Sequence, residues 1–403
     1  MNTKQKFSYG LANFILILSV IAYSIMWIDN NIAAPQVIDV YGNTWYDLGY
    51  DYGQKCNNKI EGVAAVLDGL KNLLETTTNT TIEEYITLYQ PFIPNTTLDF
   101  MQGIADGAGV TFNEIFLLNL FFDIYPDVFE GLGLSCSAFI ITEKSPPSTG
   151  AFFGRTVDNA AISLMEYWQI ILRLHPPVGN PIIIHTGAGF VGPLTGMNSK
   201  GVAFLVNFVA PDVTGPGMPM LVTGLIVLLY SNTTQDAVAF LNGTYTPSCA
   251  PQASGWNYGV LDLKGDAAII ETTHELMHVR WAKDEGNGWI GATNHYVSTE
   301  MMPHNQYVSE SSQLRLSTIQ LVVNNSNQFN LNDAMNLLRS HYDPAFGGDF
   351  AGHRSICNHD PLWSSMSAFI AAPKLNYTLV CIGHPCQNDF YLVSFDKILG
   401  PIA

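Results

Sequence analysis

Apolar and polar positions follow two different rhythms along this chain, and the change falls near Gly131. Before it, apolar residues recur every three or four positions, the spacing of one helix face. Asn58–Glu75, Thr81–Tyr89 and Leu98–Ala108 carry that spacing. So does the stretch after Thr111, where Phe112, Ile115, Phe116, Leu117, Leu120 and Phe121 make an apolar face. Thr111 followed by Glu114 has the form of a capping box, which satisfies backbone donors left open at a helix start. The region from about Gln36 to Glu130 is therefore expected to be mainly helical.

After Gly131 the apolar runs become short and end in turn residues, the pattern of strands. They are Ala138–Thr142, Ala151–Arg155, Trp168–Leu174, Ile182–His185, Gly201–Phe208, Tyr258–Leu263, Ala267–Glu271, His278–Ala282, Ala368–Ala371 and Leu379–Gly383. Lys264-Gly265-Asp266 reads as a hairpin turn between two of them. Helical spacing returns at Met220–Ser231, Thr234–Leu241, Ser312–Val323 and Leu331–Ser340. Many antiparallel strands with helices in blocks predict an α+β fold. Its expected form is a four-layer αββα sandwich: two stacked, mainly antiparallel sheets with helices on both outer faces.

The first 35 residues have another character. Lys4 and Lys6 precede an apolar run from Leu11 to Ile28, and Asp29 follows. As a helix, eighteen residues reach about 27 Å, just enough for a hydrocarbon core. Basic residues before the run and an acid after it would leave the N-terminus inside and the rest outside. The run exceeds the roughly 7–15 residues of a signal-peptide core, and Ile32-Ala33-Ala34 is a weak cleavage site. Residues 1–35 are thus expected to be a retained signal anchor, or failing that a cleaved signal peptide. Either makes the bulk of the chain exported, extracellular or lumenal, and the anchor makes the membrane a partner. Sequons at Asn79, Asn95, Asn232, Asn242, Asn324 and Asn376 suit an exported glycoprotein. Of the six cysteines, Cys381 and Cys386 are the nearest candidates for a disulfide, buried reduced thiols being the other reading.

Composition narrows the function classes. With 403 residues, 47% of them hydrophobic and 13% charged, the chain can bury a large core and is not disordered. Its formal net charge of −17 excludes the dense Lys/Arg face that nucleic-acid binding requires.

Eight short motifs occur in a fixed order: WYDLGYDYG at Trp45–Gly53, GIADGAGVTFNEIFLLN at Gly103–Asn119, SCSAF at Ser135–Phe139, GRTVD at Gly154–Asp158, GMNSKGV at Gly196–Val202, ATNHY at Ala292–Tyr296, SSQLR at Ser311–Arg315 and GHPC at Gly383–Cys386. In this ordered set the chain resembles the N-terminal-nucleophile hydrolases, in the branch of isopenicillin N acyltransferase. Acid ceramidase, N-acylethanolamine amidase and the choloylglycine hydrolases are more distant likenesses. The resemblance runs from about Tyr41 to Phe395. It implies a self-processing cysteine amide hydrolase or acyltransferase, cut between Ser135 and Cys136 and working through a thioester at Cys136. Residues 36–135 would be a mainly helical α-chain and 136–403 the catalytic β-chain. Its partners would be a small acyl-amide substrate, lipid-like ones included, and its own cleaved α-chain, without cofactor or metal.

The chemistry accounts for the residue types. A free thiol is mostly protonated near neutral pH and needs a base. Once Cys136 is a chain terminus, its own α-amine, with a pKa of about 7.7–8.0, can serve. A carboxylate must orient that amine and a cation must favour the thiolate. By resemblance Asp158 holds the amine and Arg155 sits beside the sulfur. Asn294 matches the family's oxyanion-hole asparagine, Asn207 is a second candidate, and Arg315 matches an arginine near the active site. The chain departs from the family at Thr156, where Asn is usual, and in the long loop Thr142–Gly150.

Two other classes compete. HELMH at His274–His278 has the form of a zinc-protease motif with Glu275 as base, but it requires a helix, and its surroundings read as strand, turn and strand. An exported, membrane-tethered binding module is the non-enzymatic alternative. The joint presence of Cys136, Arg155, Asp158 and Asn294 speaks against it.

Overall fold

The computed structural model describes residues 34–128, 135–160, 167–360, 363–396 and 398–402. Two large sheets organise them. One has eight strands in the order Val37–Tyr41, Gln169–His175, Ile182–Gly187, Thr195–Asn198, Ala203–Phe208, Trp256–Leu261, Ala267–Thr272 and Met277–Trp281. The other has seven, in the order Trp289–Ala292, Ser135–Ile141, Phe152–Ala160, Trp363–Ala372, Tyr377–Ile382, Phe390–Ser394 and Ile398–Ile402. Val37–Tyr41 joins Gln169–His175 in parallel, and the remaining neighbours in both sheets are antiparallel.

Three apolar layers hold this together. Between the sheets lie Ala138, Ile140, Phe153, Ile171, Ile183, Leu205, Ile269 and Phe369. Outside the eight-stranded sheet, Ile170, Leu172 and Phe204 pack with residues of the helices at 45–128 and 220–241. Outside the seven-stranded sheet, Phe139, Ile141 and Phe152 meet Ile319, Val323, Met335 and Leu338 of helices Glu310–Asn324 and Leu331–Leu338. Because side chains alternate along a strand, Ala138 and Ile140 fill the middle layer while Phe139 and Ile141 fill the outer one. The result is the four-layer αββα sandwich expected from the sequence.

Two of the motifs prove to be one packing device. WYDLGYDYG opens the helix Trp45–Thr78, and GIADGA ends the helix Asn95–Ala108, with Gly109 as its C-cap. A Cβ at Gly49 would stand 2.2 Å from the Phe100 carbonyl oxygen, and one at Gly103 would stand 2.1 Å from that of Tyr46. Gly53 and Gly107 meet Ile104 O and Tyr50 O at 2.4 and 2.3 Å in the same sense. The two helices therefore touch backbone to backbone, an approach only glycine permits.

The capping box at Thr111 forms, with the Glu114 amide donating to Thr111 Oγ1 at 3.3 Å and the Thr111 amide to Glu114 Oε2 at 2.7 Å. The helical reading of 36–130 misses Val37–Tyr41, whose Ile38 and Val40 point inward as an edge strand. All six sequon asparagines are exposed.

Two expectations are corrected, the membrane anchor and the Cys381–Cys386 pairing, and the strand-turn-strand reading of HELMH holds. Leu11–Ile28 lies outside the described residues, and among the described residues no helix is long and apolar enough to cross a membrane. Even the 34-residue helix Trp45–Thr78 carries Asp47, Asp51, Lys55, Lys59 and Glu61 along its length. The signal-anchor helix and the membrane partnership are accordingly withdrawn. HELMH is not helical: Thr273 and Leu276 close a turn, and Met277 begins a strand. His274 Nδ1 is bound to the Gln252 carbonyl at 2.7 Å, and His278 faces Glu300 at 3.7 Å. Cys386 does not join Cys381: its sulfur lies 3.1 Å from His359 Nε2, and Cys381 turns toward the carbonyls of Ile382 and Asn388.

Candidate active site

SCSAF forms the strand Ser135–Ile141 and GRTVD part of the adjacent strand Phe152–Ala160. Their antiparallel register sets Ser135 opposite Asp158, Cys136 opposite Val157 and Ala138 opposite Arg155. The loop 142–151 between them is long, yet it leaves this register intact. Lys144 pins it by donating to Val323 O and Ser326 O at 2.7 and 2.8 Å.

Strand alternation puts Cys136 and Arg155 in the space between the sheets, both buried. Arg155 spreads its guanidinium over three partners. Nη2 lies 3.1 Å from Cys136 Sγ, Nη1 donates to Leu194 O at 2.9 Å, and Nε donates to Asn207 Oδ1 at 3.1 Å. Asn207 in turn donates to Ala292 O at 2.9 Å, which ties the two sheets together beside the thiol. Arg155 thereby sets a fixed cation against the sulfur.

Asn294 and Arg315 close on Cys136 from the other side. Asn294 Oδ1 accepts the Cys136 N–H at 2.9 Å and Arg315 Nη2 at 2.8 Å, while its amide nitrogen donates to Phe208 O at 2.9 Å. Arg315 Nη1 donates to Cys136 O and, at 2.9 Å, to Ser137 Oγ. Arg315 is buried, which lowers its pKa, and the charges of Asp158 and Cys136 oppose that shift.

Asp158 points to the opposite face of the strand pair from Arg155. Ser365 Oγ donates to its Oδ1 at 2.6 Å, and Oδ2 is buried without a hydrogen-bond partner. Burial pushes this carboxyl up to about 6, against the pull of the Arg315 charge and the Ser365 hydrogen bond. Thr156, at the position where the family usually has Asn, accepts the Ser137 N–H at 3.3 Å and so stiffens the nucleophile strand.

Cys136, Arg155, Asn207, Asn294 and Arg315 are thus linked by hydrogen bonds around one thiol, while Asp158 lies on the other face of the strand pair, opposite Ser135. Three serines escaped the sequence reading. Ser365 holds Asp158 across 207 positions, Ser137 accepts from Arg315, and Ser312 Oγ accepts the Asn294 N–H at 2.8 Å. Ser312 stands inside the SSQLR motif noted for its arginine, so that motif held the only sequence signal for it. It also meets His295 Nδ1 at 2.7 Å, and burial pushes that imidazole down to about 4.

Comparison with known proteins bears on the same residues. No curated protein sequence matches the chain. Among solved structures, an N-acylethanolamine-hydrolyzing acid amidase ortholog of Caenorhabditis elegans is 14% identical over 59% of this chain and 93% of its own, with a TM-score of 0.42. Penicillin V acylase from Agrobacterium tumefaciens is 14% identical over 65% and 87%, with a TM-score of 0.38. A mutant conjugated bile acid hydrolase from Clostridium perfringens is 10% identical over 66% and 99%, at 0.35. Residues 146–366 match the family described as acyl-coenzyme A:6-aminopenicillanic acid acyl-transferase. That span includes Arg155, Asp158, Asn207, Asn294 and Arg315 and begins after Cys136. With more than half its length matched, the chain belongs to this acyl-transferase family.

Proposed function

We propose that the chain is a self-processing cysteine amide hydrolase or acyltransferase whose nucleophile is Cys136. The observation that carries this reading is the Arg155 Nη2 contact with Cys136 Sγ at 3.1 Å, in a buried site where Asn294 and Arg315 also bind the Cys136 backbone. Residues 36–135 would form the α-chain and 136–403 the catalytic β-chain.

In the uncut chain the thiolate attacks the Ser135 carbonyl carbon. The new S–C bond replaces the Ser135–Cys136 C–N bond, and the thiol proton passes to the leaving nitrogen. Water then cleaves the thioester, leaving the Ser135 carboxylate, a restored thiol and a free α-amine at Cys136. Asp158 Oδ2, with no partner in the uncut chain, is the acceptor suited to that amine. In turnover the amine takes the thiol proton and returns it to the leaving group, while the acyl group rests on sulfur. Asn294 and Asn207 each commit one amide N–H to a carbonyl, and each amide has a second N–H for the oxyanion. A small acyl-amide is the proposed substrate class, and an exported compartment the proposed location.

Cys136→Ala tests this. The variant is expected to fold, run as one uncut chain on a denaturing gel, and show no turnover of an acyl-amide panel. The wild type is expected to yield a fragment beginning Cys136-Ser137-Ala138-Phe139. Full activity in an unbroken wild-type chain would overturn the mechanism.

A further inference from the structure

Four side chains outside this site meet in one place. His341, Cys357, His359 and Cys386 each bring a donor atom, and these atoms all lie within 4.8 Å of one another. They come from three separate segments. His341 follows the helix Leu331–Leu338, Cys357 and His359 flank Asn358 ahead of the strand Trp363–Ala372, and Cys386 sits in the turn after Tyr377–Ile382.

His359 Nε2 lies 3.5 Å from Cys357 Sγ and 3.1 Å from Cys386 Sγ. With Zn–S near 2.3 Å and Zn–N near 2.0–2.1 Å, the edges of a tetrahedral zinc site are roughly 3.3–3.8 Å. These two separations already approach that range. An independent observation concerns His341, whose Nε2 is buried without a hydrogen-bond partner. Buried imidazole nitrogens rarely stay unpaired without a reason.

We propose that His341, Cys357, His359 and Cys386 bind one zinc ion as a structural Cys2His2 site. Two thiolates and two imidazoles are soft and borderline donors that suit zinc, whereas calcium and magnesium require oxygen. On binding, each thiol releases its proton to solvent, and the two thiolates balance the charge of the ion. Four protein ligands complete the tetrahedron and leave no position for a reacting water. The His384 ring stacks on His359 with centroids 4.1 Å apart and fixes its plane. A Cys357–Cys386 disulfide is the rival use of the two sulfurs, but it would leave two converging imidazoles without a role.

The ion would fasten the loop 340–360, whose regular structure is the short pair Tyr342–Asp343 and Gly348–Asp349, to the turn carrying Cys386. Asn358, between two ligands, donates its N–H to Ser365 Oγ at 2.9 Å, and Ser365 holds Asp158. This last link rests on the catalytic reading above; the metal site does not.

The test is the metal and thiol content of the full chain, purified without chelator and incubated with zinc. About one zinc per chain is expected by plasma mass spectrometry, in the wild type and equally in uncut Cys136→Ala. In the Cys136→Ala background, Cys386→Ser and His341→Ala are each expected to cut zinc at least about tenfold. Should those variants misfold, wild-type protein stripped of zinc and loaded with cobalt is expected to show thiolate charge-transfer and tetrahedral d–d absorption. Wild-type chain without zinc, zinc unaffected in folded Cys386→Ser, cobalt spectra without thiolate bands, or a Cys357–Cys386 cross-linked peptide would each overturn the site. Zinc bound by a chain that never cuts itself would uphold it while refuting the catalytic reading.

Discussion

Asn294 Oδ1 accepts the backbone N–H of Cys136 at 2.9 Å, joining two residues 158 positions apart at the bond proposed to be cut. The same oxygen takes Arg315 Nη2. One side chain therefore orients the scissile amide and anchors the arginine that binds Cys136 O. Asn294→Ala is expected to lower kcat by about 10²–10³ with little change in KM, the usual result of losing an oxyanion donor. Steady-state kinetics with an acyl-amide substrate check it. An unchanged kcat with a raised KM would make Asn294 a substrate contact instead.

The helix crossing gives a prediction of opposite signs at two glycines. Gly103→Ala places a methyl 2.1 Å from Tyr46 O and must push the helices apart, so a loss of about 1–3 kcal/mol is expected. Gly62 lies in the same helix as Gly49, but a Cβ there meets Trp168 Nε1 at an ordinary 3.5 Å. Gly62→Ala is expected to gain about 0.5–1 kcal/mol from lower unfolded-state entropy. Urea midpoints of the two variants decide, and equal shifts would refute the close-contact reading.

That crossing also shows where the sequence was legible. Ala138–Thr142 and Ala151–Arg155 are short apolar runs, so strands there could be read from the pattern, whereas the meeting of Cys136 and Arg155 was implied only by the family resemblance. The glycines of WYDLGYDYG could not be assigned a purpose, because their reason is a carbonyl about 50 residues away. The grip of Ser365 on Asp158 was hidden for the same cause: a lone serine in a strand has no periodic signature. HELMH was legible too: its spacing has meaning only on a helix, and the hairpin before it pointed to the turn and strand that the structure shows there.

Asp123 carries a prediction about pH. It is buried, accepts Met220 N at 3.0 Å and Trp256 Nε1 at 2.9 Å, and burial pushes its carboxyl up to about 7 despite both bonds. Between roughly pH 4, the ordinary carboxyl value, and pH 7, the folded chain holds a proton that the unfolded chain has lost. This group's contribution to stability must therefore fall as pH rises through that window and level off above it. His185 and His295, which burial pushes down to about 3 and about 4, act in the opposite sense below about pH 6.5. They are common to wild type and Asp123→Asn, so the difference between the two isolates Asp123. Relative to the variant, the wild type is expected to lose stability from pH 4 to pH 7 in urea melts, and a flat difference would refute the raised pKa.

Ser365 offers the most direct test of how Asp158 is held. Its hydroxyl donates to the Asp158 carboxylate at 2.6 Å. Ser365 is itself fixed from the other side by the Asn358 N–H. Asp158 lies deep in the protein, where a carboxylate with neither oxygen satisfied is costly to keep ionised. Removing a hydrogen bond to a charged group costs about 1.5–3 kcal/mol, which corresponds to roughly 10–150-fold in rate if Asp158 must be ionised to orient the amine. Ser365→Ala is therefore expected to slow both self-cleavage and turnover by that factor. KM should stay near its wild-type value, because the serine faces away from the thiol side of the strand pair. A destabilised fold would instead raise the uncut or aggregated fraction without changing kcat per cut molecule. Active-site titration of the cut fraction, followed by kcat on that fraction alone, separates the two. A wild-type kcat in Ser365→Ala would show that Asp158 needs no such support.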